Sequence, residues 1–208
     1  GRRRLIGESV AALGDGPASG ETGTAFAESV GAKSCLISVR SRLDLSTMDY
    51  VELTELLARA WLCAEGYSLV WFRDIVPGEL LPDIAYLDSR LEKDAPMGDL
   101  VVEPEFMDAR RIRAAEAARL AWRRRRYSTG VRHDASGRLV AVTTLTLDHC
   151  PADHAWQNIT IVEPRHRGRR LGTIAKIENL RYARVHEHAL RHIDTWNAET
   201  NVHMIAIN

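Results

Sequence analysis

Apolar residues recur every three to four positions at Tyr50, Leu53, Leu57 and Trp61, the period that lines one face of an α-helix. Ser46 and Asp49 have capping-box spacing ahead of that stripe, with Asp standing where Glu is more usual, so a helix is predicted to start at Ser46 and stop at Gly66. Strands are predicted at Leu36 to Val39, Tyr67 to Phe72, Trp156 to Val162 and Ile193 to Trp196, and Tyr127 to His133 with Leu139 to Leu147 form a hairpin around Asp134-Ala135-Ser136-Gly137. Further helices are predicted at Leu5 to Leu13, at Thr24 to Val30 closed by Gly31, and at Pro77 to Lys93 with an interruption at Pro82. Three more follow: an Ala- and Arg-rich one over Phe106 to Arg126, one from Leu171 to about His188, and one starting at Asn201 and running to Asn208. The glycines between Gly14 and Gly23 follow a helix rather than a strand and read as linker. Strands alternating with helices predict an α+β (α/β) fold with a mixed sheet.

Composition narrows the function classes. At 208 residues and 45% hydrophobic content the chain fills one large or two small cores. Acidic and basic residues balance at 28 each, which argues against the broad basic footprint that nucleic-acid or anionic-membrane binding needs. Any anion site is therefore local. Cys35, Cys63 and Cys150 are odd in number and far apart, so neither a disulfide framework nor a zinc site is predicted, and a cytoplasmic setting fits. No apolar run approaches the roughly 18 residues of a membrane span. His186, His188 and His192 lack metal-ligand spacing and read as solvated cations near a helix end. Arg123 to Arg126 read as a solvated helix end, and Trp61, Trp71 and Trp122 as core.

The richest chemistry lies in Ile159 to Gly172, a strand, a tight turn and a helix start containing Glu163-Pro164-Arg165-His166-Arg167-Gly168-Arg169-Arg170-Leu171-Gly172. Backbone N–H groups at such a turn point into one concavity, and the helix N-terminus adds partial positive charge, so a pyrophosphate is held mainly by main chain. Gly168 allows close approach, Gly172 allows tight packing of the first helical turn, and the four arginines offer charge to phosphate oxygens.

Arg165 to Arg170 resembles the acetyl-CoA motif of the GNAT superfamily, Q/R-x-x-G-x-G/A, in an actinobacterial-like form; Arg170 departs from it where Gly or Ala is usual. Trp196 to Asn201 and Met204 to Asn208 are similar to the family's fifth strand and fourth helix, so the resemblance covers about Asp99 to the end. It implies the GNAT acyl-CoA N-acyltransferase fold, acetyl-CoA as cosubstrate and a V-shaped opening between strands, with the pantetheine arm beside Ile161 and Val162. The cofactor contacts it implies are Ile161, Val162, Arg167, Gly168, Arg169, Arg170, Leu171, Gly172, Thr173 and Asn201. It also implies a strand bulge near Glu163-Pro164 and an oxyanion held by backbone N–H near Val162.

An internal repeat is weaker by identity and rests on order. Arg2 to Gly7 matches Arg167 to Gly172 in layout, and Ala25 to Gly31 resembles the fourth helix of a first copy. The resemblance then implies tandem copies, both incomplete: residues 1–45 the end of a degenerate first copy, 46–98 a connection, and 99–208 the second copy with the acetyl-CoA motif. Arg3 stands at the Gly168 position of copy one, where a side chain crowds a phosphate. The implied reaction is direct attack of a small-molecule primary amine on the thioester. Glu163 is a candidate base, and Asn208 falls at the family's usual tyrosine acid, where it cannot donate a proton as tyrosine does. Two alternatives stay open: an acyltransferase like mycothiol synthase, and a non-catalytic acyl-CoA-binding module. Neither nucleic acid nor membrane is an expected partner, and a homodimer is allowed.

Overall fold

In the computed structural model, which describes residues 5–10, 21–94, 98–100 and 106–201, the chain divides into two units. The first lies within Gly1–Ile37 and Gly98–Leu100. Its helix α1 (Glu21–Ser29) begins at Glu21 rather than Thr24 and ends at Gly31, whose φ of 77° is the left-handed conformation expected of a helix-ending glycine. The predicted helix at Leu5 to Leu13 is absent over Leu5 to Val10, where Leu5 and Ile6 are 94% and 61% exposed. Short helices are marginal unless packing holds their apolar face. Residues 11–13 and the glycines from Gly14 to Gly20 lie outside the described residues.

The second unit, within Ser38–Met97 and Val101–Asn208, is one six-stranded mixed sheet covered by helices on both faces. Its first strand, β1, is Ser38–Asp44, later and longer than predicted at Leu36 to Val39. The reason is remote: Arg40 and Arg42 of β1 are held by Asp194 across the sheet. Helix α2 (Tyr50–Trp61) is capped by Asp49, whose carboxylate accepts from Val51 N and Glu52 N at 2.8 and 3.1 Å. Ser46 is not the cap, because Asp44 Oδ1 holds both its N–H and its hydroxyl. Strand β2 is Tyr67–Arg73 and helix α3 is Leu81–Asp94. Pro82 sits in the first turn of α3, where its missing N–H has no partner to lose, so it starts the helix instead of interrupting it.

Helix α4 (Ala109–Ala121) is shorter at both ends than predicted. Asp108 caps it, and Arg123 at φ 55° turns the chain so that Arg125 and Arg126 enter strand β3 (Arg125–His133). The basic run is therefore not a solvated helix end. Arg125 grips Glu187 and Arg124 pairs with Asp148, while Arg126 faces inward. Of the tryptophans read as core, Trp61 packs against it, but Trp71 and Trp122 are 46% and 69% exposed. The Arg124 guanidinium lies 4.8 Å over the Trp122 ring.

The remaining elements are β4 (Arg138–Leu147), β5 (His154–Val162), α5 (Leu171–His186) and β6 (His192–Ala198). Strand order is β1-β6-β5-β4-β3-β2, antiparallel throughout except for the parallel pair β5 and β6, which α5 connects as a crossover helix. Segments 1–45, 46–98 and 99–208 thus all supply strands to one sheet. On one face α2 and α5 bury Leu57, Ala60, Tyr67, Leu171, Ile174 and Ile177. On the other, α3 and α4 bury Phe72, Ile84, Leu87, Ile112, Val142 and Ile161. The final predicted helix falls on residues 202–208, outside the described residues, as does Asn208.

Two features of β5 shape the site. Its pairing with β6 stops after Trp156↔Asp194, although β5 continues to Val162 and β6 to Ala198. The strands therefore part into the expected V, and the free stretch of β5, residues 157–162, spans about 20 Å at the usual strand rise. Second, the β4–β5 register slips between Thr143↔Thr160 and Leu145↔Gln157, setting Asn158 and Ile159 opposite Thr144 alone. The bulge expected near Glu163-Pro164 lies here instead, because Glu163 N still bonds Val140 O at 2.8 Å.

Candidate functional site

The turn after β5 is built by local chemistry. Glu163 caps a 3-10 turn over Pro164–His166, its carboxylate accepting from Arg165 N at 2.7 Å, and Pro164 supplies the fixed φ of the first position. The Arg167 side chain folds back so that Nε donates to Val162 O at 3.0 Å. Below the turn, Tyr67 Oη and His166 Nδ1 lie 2.7 Å apart, and the His133 ring lies 4.9 Å from that of His166, tilted 58° to it. Burial, and then the neighbouring His133, push His166 below its ordinary pKa. Arg169 reaches over the Tyr67 ring at 5.8 Å.

Two residues in the turn take left-handed backbone conformations. Gly168 has φ 79° with open space where a side chain would start. Arg170 has φ 58° and ψ 16° and stands at the N-cap of α5 without a side-chain capping bond. The first turn of α5 therefore presents N–H groups that neither the helix interior nor a cap residue satisfies. The place where the motif prefers Gly or Ala is a strained place for arginine. Replacing Arg170 with glycine is expected to raise stability by roughly 0.5–1 kcal/mol, since relief of strain outweighs the greater freedom of glycine in the unfolded chain. Urea denaturation checks this; a lower midpoint for Arg170→Gly would remove strain as the reason for the motif's preference.

Gly172 plays a different part from the one expected. A methyl added there would meet Val162 Cγ2 at 3.7 Å and Thr160 Cγ2 at 3.8 Å, ordinary contact distances, so packing on the sheet does not require glycine. Leu171 anchors the helix start, almost wholly buried. Arg165, Arg167, Arg169 and Arg170 are all exposed around the turn. Ile161 faces the α3–α4 core, and Val162 packs against the α2–α5 core. Asn201 follows β6, its N–H bonded to Ala198 O at 2.8 Å.

The V opens between two cavities, one on each face of the sheet. On the α5 face a cavity of about 250 Å³ is lined by Leu145, Gln157, Thr173, Lys176, Ile193 and Thr195, so it draws on both diverging strands. Burial pushes the Lys176 ammonium down to about 8. Gln157 ties the bulge from this side, its amide donating to Thr143 Oγ1 at 2.9 Å and to Thr144 O at 3.0 Å. On the opposite face a cavity of about 240 Å³ is lined by Asp88, Arg119, Arg126, Thr144, Asn158 and Ile159. The bulge accounts for this: by putting Asn158 and Ile159 on one face it breaks the strand's alternation and brings two consecutive residues to the cavity. Sequence reasoning missed Asp88, Arg119 and Arg126. They come from α3, α4 and β3, and no local pattern joins them.

The fold aligns over 96% of this chain with a tandem GNAT protein from the clavulanic acid biosynthesis pathway, solved without acetyl-CoA, at TM-score 0.71 and 31% identity. This chain belongs to the GNAT superfamily. It spans 57% of the length of that GNAT protein. A structure from Acinetobacter baylyi ADP1, provisionally assigned as an acetyltransferase, shares the GNAT fold at TM-score 0.50 and 12% identity, over 68% of this chain and 76% of its own. No protein-family model matches the chain, and no curated protein matches it. The turn after β5 leads directly into the uncapped start of α5, and both follow the stretch of β5 that borders the V.

Proposed function

We propose that this chain is an acetyl-CoA-dependent N-acyltransferase acting on a small-molecule primary amine, with its site in the six-stranded unit that starts at Ser38 and with the segment before Ser38 belonging to the first copy of a tandem arrangement. The observation that carries this reading is the uncapped start of α5 behind a left-handed Gly168, set at the mouth of a V between parallel strands. The residues present fit the cosubstrate: free N–H groups and four exposed arginines suit a pyrophosphate, and the edge of β5 that β6 leaves open suits an extended amide-bearing arm.

Acetyl-CoA supplies an activated thioester. The protein's part is positioning and preorganised dipoles. In this reading β5 holds the arm in the V, the backbone around the Asn158–Ile159 bulge faces the thioester, and the turn fixes the far end. The neutral amine forms an N–C bond to the acetyl carbon as the C–S bond breaks, and the proton released from nitrogen passes to the departing thiolate directly or through water. Glu163 is committed to capping the turn, which suits a positioning role better than that of a base.

Calorimetric titration of the intact chain with acetyl-CoA is expected to give saturable binding at about one site per chain, weakened for dephospho-coenzyme A. Thiol release on adding a panel of amines then separates an enzyme from a binding module. A folded sample that binds no acetyl-CoA would overturn the proposal.

A further inference from the structure

The cavity on the α3–α4 face has an electrostatic make-up that general amine binding does not require. Two guanidinium groups, Arg119 and Arg126, and one carboxylate, Asp88, line it. Arg126 makes no side-chain hydrogen bond or ion pair among the described residues, and its Nε is buried without a partner. Its bonds to Asp74 run through backbone: Arg126 N donates to Asp74 Oδ1 at 2.8 Å, and Arg126 O accepts from Asp74 N at 2.8 Å. Arg119 donates one amino group to the Asp74 carbonyl, and its Nε is likewise buried and unpartnered. Burial first, and then the like charge of Arg119, push Arg126 down to about 10; burial also lowers Arg119 and raises Asp88.

Nearby carboxylates do not resolve this. Glu116 is fully buried and already held by Arg113 and Val76 N, and Asp74 is bonded to the Arg126 backbone and to Arg73. No ion pair joins Asp88 to either arginine among the described residues. Buried guanidinium donors without acceptors are destabilising, and planar, forked donors match a carboxylate. The buried Nε groups of Arg119 and Arg126 therefore have no acceptor, and Asp88, which acts on Arg126 through charge without an ion pair, lines the same cavity. Its volume, about 240 Å³, suits a molecule smaller than the drug-sized ligands that fill roughly 300–1,000 Å³.

Building on the acyltransferase reading, we propose that this cavity receives an acceptor bearing a carboxylate as well as its amine, a small amino acid, with Arg126 and Arg119 holding the carboxylate and Asp88 facing the amine. The adjoining bulge at Asn158 and Ile159 places that amine at the wall of the V. The acceptor class is thereby narrowed from amines in general to zwitterions.

The test needs no prior substrate. Glycine, β-alanine and 4-aminobutyrate, whose charges stand progressively farther apart, are titrated into the intact chain by calorimetry and ligand-observed NMR. The best of them is compared with its matched amine and matched carboxylic acid. The zwitterion is expected to bind at least tenfold more tightly than the matched amine. Arg126→Met removes that advantage, and Asp88→Asn reduces the zwitterion to the level of the matched acid. Thermal melts confirm folding, and Arg119→Met serves as the second variant should Arg126→Met not fold. No binding of any zwitterion, equal binding of the matched amine, or unchanged binding in a folded Arg126→Met or Arg119→Met would overturn the proposal. Acetyl-CoA titration of the same samples separates the two readings: zwitterion binding without acetyl-CoA binding defeats the donor site alone, and the converse defeats the acceptor cavity alone.

Discussion

In the Gly168→Asp variant, acetyl-CoA affinity is expected to fall about 100-fold or more, with little change in thermal stability beyond the strain of the turn. Gly168 sits at φ 79° among exposed arginines, beside the uncapped start of α5. On the proposed acyltransferase reading, a carboxylate there stands in the path of the cosubstrate's pyrophosphate. Two like charges about 4 Å apart repel by roughly 4 kcal/mol at the effective dielectric of a protein surface, and about 3 kcal/mol of that suffices for 100-fold. Backbone strain is a separate effect, since any side chain at this φ costs about 1 kcal/mol. Gly168→Asn separates the two, because asparagine tolerates the left-handed region and carries no charge. Calorimetry should find Gly168→Asn within about tenfold of the parent chain and Gly168→Asp beyond reach. Equal losses in both variants would show that the turn acts through its shape alone.

Removal of the Asp194 carboxylate, as in Asp194→Ala, is expected to cost about 2–3 kcal/mol of stability. Asp194 is wholly buried, yet it ties β6 to the strands on either side of it, β1 and β5: Arg42 donates to it at 2.8 and 2.9 Å, Arg40 at 2.9 Å through Nε and again through an amino group, and His154 Nε2 lies 2.9 Å away. Removing one partner of a buried pair costs roughly 3–5 kcal/mol; the smaller figure applies because Arg40 and Arg42 are about half exposed and regain water. Burial alone would raise this carboxyl group, but the hydrogen bonds from Arg42, Arg40 and His154 overcome it and hold the group far below the usual carboxylate range. A carboxyl group with a depressed folded pKa contributes stability that is fully present above its unfolded value, about 3.9, and is lost as pH falls below it. The parent chain should therefore lose stability relative to Asp194→Asn as urea midpoints are followed from about pH 5 to pH 3. A gap between the two that stays constant over this range would show that the charge on Asp194 contributes nothing.

Local chemistry was the most legible part of the chain. The Gly31 helix end, the Asp134–Gly137 hairpin and the strand-turn-helix around Gly168 are each decided by residues within a few positions of one another, so turn and capping preferences find them. The same locality explains where reading from sequence slips. Ser46 and Asp49 both suit a cap, and the choice between them depends on Asp44 engaging Ser46. Phe106 to Arg126 is good helix sequence throughout, but its last residues form a strand because pairing with β4 and the Arg125–Glu187 ion pair outweigh propensity.

The sequence by itself determined the class of fold, the family likeness and the position of the turn, because these rest on near neighbours and on a short run of glycines and arginines. Only the tertiary structure decided that β1 joins β6 through Asp194, that the bulge lies at Asn158 and Ile159, and that Asp88, Arg119 and Arg126 share one cavity. Register and cavity walls depend on which strands and helices meet across long stretches of chain. A side chain's charge state and partners follow from that meeting and not from the residues beside it.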